Sequence, residues 1–300
     1  MLKGQSAKGG GMGLLDGKVA LITGAGGGLG EAYSKLLARE GAAVIVNDLG
    51  VSPDGTGADR SMAEKVVAAI KSEGGRAVVN GADISTLDGG QFLFDDAIRH
   101  FGRADILINN AGVLRDKSFA NSNEADWDKV IKVHLKGTYC ATLPVFRWMR
   151  KNGGGVIVNT SAGAGLIGSF GQSNYSAAKA GIWGLSNTLA IEGHKYKIRV
   201  WTLNPSAITR MTADLPGYND ANLTPDEIAQ TVLYMVSDLS GAQTGKVLGV
   251  SGPRGVREMR MMETEGWKAS RTDLKAQDIA EHACEIFFSE KELKKSARYS

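Results

Sequence analysis

Short apolar runs alternate along this chain with longer stretches whose apolar positions recur at helical spacing. Val19-Ala20-Leu21-Ile22, Ala43-Val44-Ile45-Val46, Ala77-Val78-Val79, Asp105-Ile106-Leu107-Ile108, Val156-Ile157-Val158 and Ile198–Leu203 are brief and rich in β-branched residues. Continuous runs of that kind suit strands covered on both faces of a parallel sheet. Between them, Met62, Val66 and Ile70 make one stripe, and Phe94, Ala97, Ile98 and Phe101 make another. Such spacing keeps apolar side chains on one side of a helix. The alternation predicts one α/β domain: a Rossmann-like, doubly wound parallel sheet with helices on both faces and ligands at the carboxyl ends of the strands. After about residue 251 the pattern changes. Met259, Met261, Met262 and Trp267 precede Ile279, Ala283, Ile286 and Phe287, which fit one more amphipathic helix before a basic end. So few residues make a poor independent core. Residues 252–300 are therefore expected to form a C-terminal helical extension packed on a domain of residues 14–251, with residues 1–13 as a flexible tail.

Composition narrows the class. Of 300 residues, 43% are hydrophobic and 22% charged, ordinary values for a globular chain. The 40 glycines are an excess over the usual ~7%, and they cluster in turns such as Gly24–Gly30 and Gly153–Gly155. A net charge of +3, without a basic stripe interleaved by aromatics, argues against a nucleic-acid partner. No apolar run reaches membrane-spanning length and the N-terminus lacks a signal-peptide core, so no membrane partner is expected. Cys140 and Cys284 stand far apart with no Cys or His at ligand spacing, which predicts reduced thiols and no metal. The terminal Ala297-Arg298-Tyr299-Ser300 is not a peroxisomal tripeptide, and the cytoplasm is the expected location.

The candidate chemistry starts at Thr23-Gly24-Ala25-Gly26-Gly27-Gly28-Leu29-Gly30, between the first strand and the helix beginning near Glu31. Glycines there permit a tight turn, close approach of backbone to a pyrophosphate, and close helix–strand packing, while the helix N-terminus offers free N–H groups to phosphates. A Gly-rich turn alone also fits a purely structural bend; its place inside a βαβ unit favours a dinucleotide. Asp48 follows the second strand, 24 residues beyond Gly24. A carboxylate at that point accepts ribose hydroxyls and repels a 2′-phosphate, which favours NAD over NADP, unless Asp48 merely caps a turn. Asp83 after the third strand suits an adenine amino group, and Asn109-Asn110-Ala111-Gly112 after the fourth suits close contact with a cofactor; either also fits ordinary loop chemistry. Tyr175 and Lys179 stand four apart in Asn174-Tyr175-Ser176-Ala177-Ala178-Lys179, on one face of a helix. A neighbouring cation favours phenolate over phenol, which fits Tyr175 to move an alcohol proton and Lys179 to tune it and hold the nicotinamide ribose.

In this order and at these separations, TGAGGGLG, Asp48, NNAG and YSAAK resemble the short-chain dehydrogenase/reductase family over residues 14–251. Six segments are similar to its (3R)-hydroxyacyl-CoA dehydrogenase branch: VNDLG (46–50), AGVLRDKSF (111–119), KVHLKG (132–137), GSFGQSNYSAAK (168–179), LAIEG (189–193) and PSAITRMT (205–212). The resemblance implies a secondary-alcohol oxidoreductase, NAD as cofactor, a small-molecule substrate such as a CoA thioester, and a homodimer or homotetramer built through helices around residues 126–151 and 174–194. Carried over to this chain, the cofactor contacts are Gly24, Gly28, Leu29, Gly30, Asp48, Asp83, Asn110, Ala111, Gly112, Tyr175, Lys179 and Pro205. The catalytic set is Tyr175 and Lys179, with Ser161 and His134 as further candidates.

Two positions depart from the family pattern. His134 stands where most members carry an Asn that supports a proton-relay water, so it either relays a proton or fills an interior position. The substrate-binding Ser, 13 residues before the Tyr in the family, is replaced by Ala162. Losing a hydroxyl donor at such a place costs roughly 2.7–4 kcal/mol by analogy with oxyanion holes. Neighbours at a strand end tend to face opposite ways, so adjacent Ser161 needs a local shift to replace it. Ser169, a water, or slow turnover are the alternatives. Three functions remain open: a 3-hydroxyacyl-CoA dehydrogenase, a hydroxysteroid or bulky cyclic alcohol dehydrogenase, and a catalytically impaired NAD-binding partner subunit.

Overall fold

The computed structural model describes residues 13–52, 54, 56–57, 59–209, 224–251, 255–261, 263–268 and 274–288. The predicted tail, apart from Gly13, and part of the extension lie outside them, as do the last three residues of PSAITRMT. Among the described residues eight strands form one sheet: β1 (Val19–Thr23), β2 (Ala43–Asn47), β3 (Arg76–Asn80), β4 (Ile106–Asn109), β5 (Gly155–Thr160), β6 (Ile198–Ser206), β7 (Lys246–Ser251) and β8 (Gly255–Met259), in the order β3-β2-β1-β4-β5-β6-β7-β8. Pairing from β3 through β7 is parallel, with Ala20 opposite both Val44 and Ile106. The apolar runs of β1 and β2 are buried along their whole length, because helices cover both faces and leave no solvent side to favour alternation.

Helices α1 (Gly28–Arg39), α2 (Ser61–Ser72) and α8 (Pro225–Val236) accompany one face, where Ile22, Tyr33, Leu37, Val66 and Val232 share a core. Helices α3 (Leu87–Phe101), α5 (Gly137–Met149) and α7 (Ser173–Gly193) serve the other, with Leu21, Leu93, Ala97, Met149 and Ile157. Thr86 caps α3 by accepting from Gly89 N–H at 3.0 Å, and left-handed Gly102 ends it. Helix α4 (Glu124–Ile131) runs through a π-turn at Lys132–Lys136 into α5, and short α6 (Ala164–Ile167) follows β5. Chain order reverses between β1 and β4, placing a ligand crevice outside their carboxyl ends.

Residues up to Glu258 form one unit and those from Met259 a second. Within the second, α9 (Ala276–Glu281) and α10 (Ala283–Ile286) are short, Trp267 stacks on His282 at 4.1 Å, and Thr264 donates to the Ile286 carbonyl at 2.8 Å. The single amphipathic helix expected over 279–287 is thus broken at His282.

Candidate active site

The Gly-rich turn is held by contacts that admit no side chain. The would-be Cβ of Gly24, which has φ +63°, falls 2.7 Å from Ala111 Cα, and that of Gly30 falls 2.2 Å from the Gly24 carbonyl oxygen. Thr23 joins the turn to the end of β4: its hydroxyl oxygen accepts from the Asn110 and Ala111 N–H groups at 3.0 and 3.1 Å. The Asn110 side-chain amide in turn donates to the Thr23 and Gly24 carbonyls, both at 3.1 Å. A backbone cradle therefore opens directly onto the N-terminus of α1, with Leu29 half-buried against the core. The residues present fit a dinucleotide, since a Cβ at Gly24 or Gly30 would destroy the cradle.

Asp48 lies across that turn, accepting from Gly26 N–H and Gly50 N–H, each at 2.7 Å. The strand ends behind it are tied together: Ala25 N–H donates to the Asn47 carbonyl, Asp48 N–H to the Asn80 carbonyl, and the Asn47 amide to Asn80 Oδ1 at 2.8 Å. Asp83 is exposed and accepts from Ser85 N–H at 3.0 Å. Beside it, Arg60 packs its guanidinium on Gly81, whose would-be Cβ lies 2.8–3.0 Å from Nε, Cζ and Nη2. Nothing in the sequence pattern marked this cation. Pro205 sits half-buried in the carboxyl half of β6, opposite Val250.

Helix α7 brings Tyr175 and Lys179 together, as their spacing predicts. The Lys179 Nζ lies 5.4 Å from the Tyr175 ring centroid and donates to the Thr160 carbonyl at 2.7 Å. Lys179 is 4% exposed, and burial pulls its pKa down to about 7. Asn174 fastens this end of the helix by donating to the Arg115 carbonyl at 3.0 Å, while its Oδ1 accepts from Tyr175 N–H at 2.7 Å. Its neighbour in sequence marks it as part of the motif, but the tie to residue 115 is a tertiary contact no local pattern reveals.

Ser161 points away from the site. Its hydroxyl donates to the Lys179 carbonyl at 2.8 Å and is 2% exposed, so the local shift that would turn its proton toward a substrate does not occur. The cause is strand alternation: Ser161 faces α7, as Asn159 does through Ser186. Ala162 is partly exposed and Ser169 lies exposed between α6 and α7. His134 is buried beside Tyr175, ring centroids 5.2 Å apart and nearly perpendicular. Burial, reinforced by Lys179, pushes its pKa down to about 3, so the ring is neutral. Among the described residues, no cluster of His, Cys, Asp or Glu could hold a metal, and no helix is long and apolar enough to cross a membrane.

A family model described as short chain dehydrogenase matches residues 18–217. The chain belongs to that family. It is an oxidoreductase acting on CH–OH groups, and the family typically binds NAD or NADP. A solved short chain dehydrogenase from Mycobacterium avium superposes with a TM-score of 0.81 at 36% identity, covering 92% of this chain and 98% of that one. The chain is 48% identical over 221 residues to a peroxisomal multifunctional enzyme type 2 of Mus musculus, covering 73% of this chain but only 30% of the mouse protein. It is 38% identical over 250 residues to the (2S)-[(R)-hydroxy(phenyl)methyl]succinyl-CoA dehydrogenase subunit BbsD of Thauera aromatica, covering 79% of this chain and 96% of that subunit.

Proposed function

We propose that this chain is an NAD-dependent dehydrogenase that interconverts a 3-hydroxyacyl-CoA and the corresponding 3-ketoacyl-CoA. The observation that carries the reading is the buried Lys179 ammonium beside the Tyr175 ring, at the carboxyl end of the sheet that also carries the Gly-rich cradle and Asp48. The acyl-CoA class is supported by the Thauera relative, whose named substrate is a hydroxyl-bearing CoA thioester, and by the six segments that resemble the (3R)-hydroxyacyl-CoA dehydrogenase branch.

Asp48 would accept the adenosine ribose hydroxyls, and the amides of the turn would face the pyrophosphate. A bound nicotinamide supplies the hydride acceptor or donor. Tyr175 takes the hydroxyl proton in oxidation and returns it in reduction, acting at its phenolic oxygen. Lys179 has three N–H bonds; one is held by Thr160, leaving two for the phenol side and a ribose hydroxyl. Its pKa of about 7 lets the amine exchange a proton in the working range while its charged form favours phenolate.

Initial rates with NAD on 3-hydroxyacyl-CoA thioesters and on steroid and cyclic secondary alcohols test the reading. Turnover of thioesters alone supports it; turnover of free alcohols alone replaces it with the alcohol-dehydrogenase reading. Ala162, with Ser161 committed elsewhere, favours a second reading as an impaired NAD-binding subunit, which NAD binding without turnover would support. Tyr175→Phe should keep NAD affinity and collapse turnover, and Lys179→Ala should damage both. A Tyr175→Phe protein as active as the parent would overturn the assignment.

A further inference from the structure

Helix α3 buries Gly90, Leu93, Asp96 and Ala97. A carboxylate on such a stripe breaks the apolar pattern, and it persists in an interior only where partners satisfy its oxygens. Asp96 is 5% exposed. Its Oδ1 accepts from the Arg99 guanidinium at 2.7 Å, one helical turn further on. Its Oδ2 accepts from the Asn80 side-chain amide at 2.6 Å. Asn80 is the last residue of β3 and is buried, so this contact ties α3 back to the carboxyl end of the sheet.

Asn80 passes the tie on to the two segments that carry Asp48 and Asp83. Its Oδ1 accepts from Ala82 N–H at 3.0 Å and from the Asn47 amide at 2.8 Å. The Asn47 amide also donates to the Ala82 carbonyl at 3.0 Å, so both backbone polar groups of Ala82 are gripped by side chains from two strand ends. Asp83 comes next in the chain. Its carbonyl accepts from Thr86 N–H at 3.2 Å and from the Thr86 hydroxyl at 3.0 Å, at the start of α3. The circuit is closed: it runs from Asn80 through Ala82 and Asp83 into α3, and from α3 through Asp96 back to Asn80. The Asn80 carbonyl meanwhile accepts from Asp48 N–H at 3.0 Å. The surroundings fix the orientation of the Asn80 amide, since a flip would set its NH2 against the Ala82 N–H and its oxygen against the carboxylate.

Sheet pairing does not need this network. Strands β2 and β3 are already joined from Ala43–Arg76 to Asn47–Asn80, and the network acts on residues beyond the last pair. We propose that Asp96 is a positioning residue for the adenosine half of the cofactor: through Asn80 it sets the spacing between Asp48, which faces the ribose, and Asp83, which faces the adenine. The inference rests on the reading of Asp48 and Asp83 as adenosine contacts. Arg99, with a side chain 60% exposed, offsets the charge of Asp96 from the solvent side. In this way α3, which carries none of the cofactor contacts, holds the segments that do.

The test separates the two halves of the cofactor. Competition against NADH fluorescence gives the affinities of ADP-ribose, which lacks nicotinamide, and of nicotinamide mononucleotide, which lacks adenosine; calorimetry gives melting temperatures. Asp96→Ala should weaken ADP-ribose about tenfold, the equivalent of one hydrogen bond at the strong end of the usual range, and leave nicotinamide mononucleotide within about twofold. Asn80→Asp sets two carboxylates together and should weaken ADP-ribose at least as much. Adding Asp96→Asn to it restores the bond with its direction reversed, and should return ADP-ribose affinity to within about threefold of the parent. A network that only holds the fold together lowers the melting temperature and weakens both probes alike, or neither; each result overturns the inference. So does a double variant that regains its melting temperature without regaining ADP-ribose affinity. Should Asp96→Ala not fold, Asn80→Asp with and without Asp96→Asn decides by itself. Asp48→Ala distinguishes the two readings. If it leaves ADP-ribose affinity unchanged, the adenosine site lies elsewhere and the inference falls with it. If it weakens ADP-ribose while Asp96→Ala and Asn80→Asp do not, the adenosine site stands and only the positioning role fails. The probes need no turnover, so failure of the acyl-CoA reading changes none of these outcomes.

Discussion

Ala162→Ser restores a hydroxyl at the position where the family's pattern places its substrate-oxygen donor. The structure bounds the effect from both sides. Removing a donor from an oxyanion site costs about 2.7–4 kcal/mol, or roughly 10²–10³ in rate, and that is the ceiling. Ala162 is partly exposed, so water can reach the vacant place and recover much of the loss. The net advantage of a protein hydroxyl over water is about 0.5–1.5 kcal/mol, which is about 2–12-fold in rate. A rise of about tenfold in kcat is expected, with KM and NAD affinity little changed, because the bond strengthens as charge develops on the substrate oxygen. Ser161→Ala is the companion. Ser161 already donates to the Lys179 carbonyl, so its loss should lower stability by about 1 kcal/mol and leave kcat within about fivefold, the rate equivalent of that one hydrogen bond. Initial rates of NADH formation and thermal melts read both variants. A collapse of kcat in Ser161→Ala, with melting temperature and NAD binding intact, would refute the reasoning.

Other consequences can be checked directly. Asp48 should make NAD preferred over NADP, and Asp48→Ala should narrow the gap by removing repulsion of a 2′-phosphate while Arg60 on Gly81 remains; equal efficiency of the unmodified protein with both cofactors defeats this. Burial lowers the pKa of Lys179 from 10.5 to about 7, so between those values the unfolded chain holds a proton the folded chain lacks, and stability should rise with pH. Buried Tyr33, raised above its usual value, opposes the rise near pH ~10; Lys179→Met should flatten the lower part, and urea melts across the range decide. From the family resemblance, self-association is expected through α5 and α7, where Tyr139 and Ile191 are 44% and 79% exposed; a monomer by light scattering at micromolar concentration contradicts it.

Much of the fold was written in local pattern. The six runs read as strands coincide with β1 to β6, and the Met62 and Phe94 stripes fall on α2 and α3. β7 and β8 were not legible: Lys246–Ser251 carries Gly249 in a short run, and Gly255–Met259 is largely exposed. The Tyr175–Lys179 pairing follows from helical periodicity alone, whereas the Ser161 orientation needed the packing of α7 against β5. The π-turn that aims His134 has no signature in residue type, and the Arg60 contact with Gly81 depends on how the segment after β2 folds back, as Asp59 does onto Gly50.

The Thr23–Asn110 junction has a mechanical consequence. It reinforces the β1–β4 seam at the point of chain reversal with four hydrogen bonds: the Thr23 hydroxyl oxygen accepts from two backbone N–H groups, and the Asn110 amide donates to two carbonyls. Any motion that spread the crevice at its base would have to break them together. The base therefore behaves as a fixed anvil, and movements that admit or enclose ligands are confined to the segments around its rim. Exchange of the Asn110 and Ala111 amides with solvent should then be slow whether or not a ligand is bound, while the rim amides report on binding.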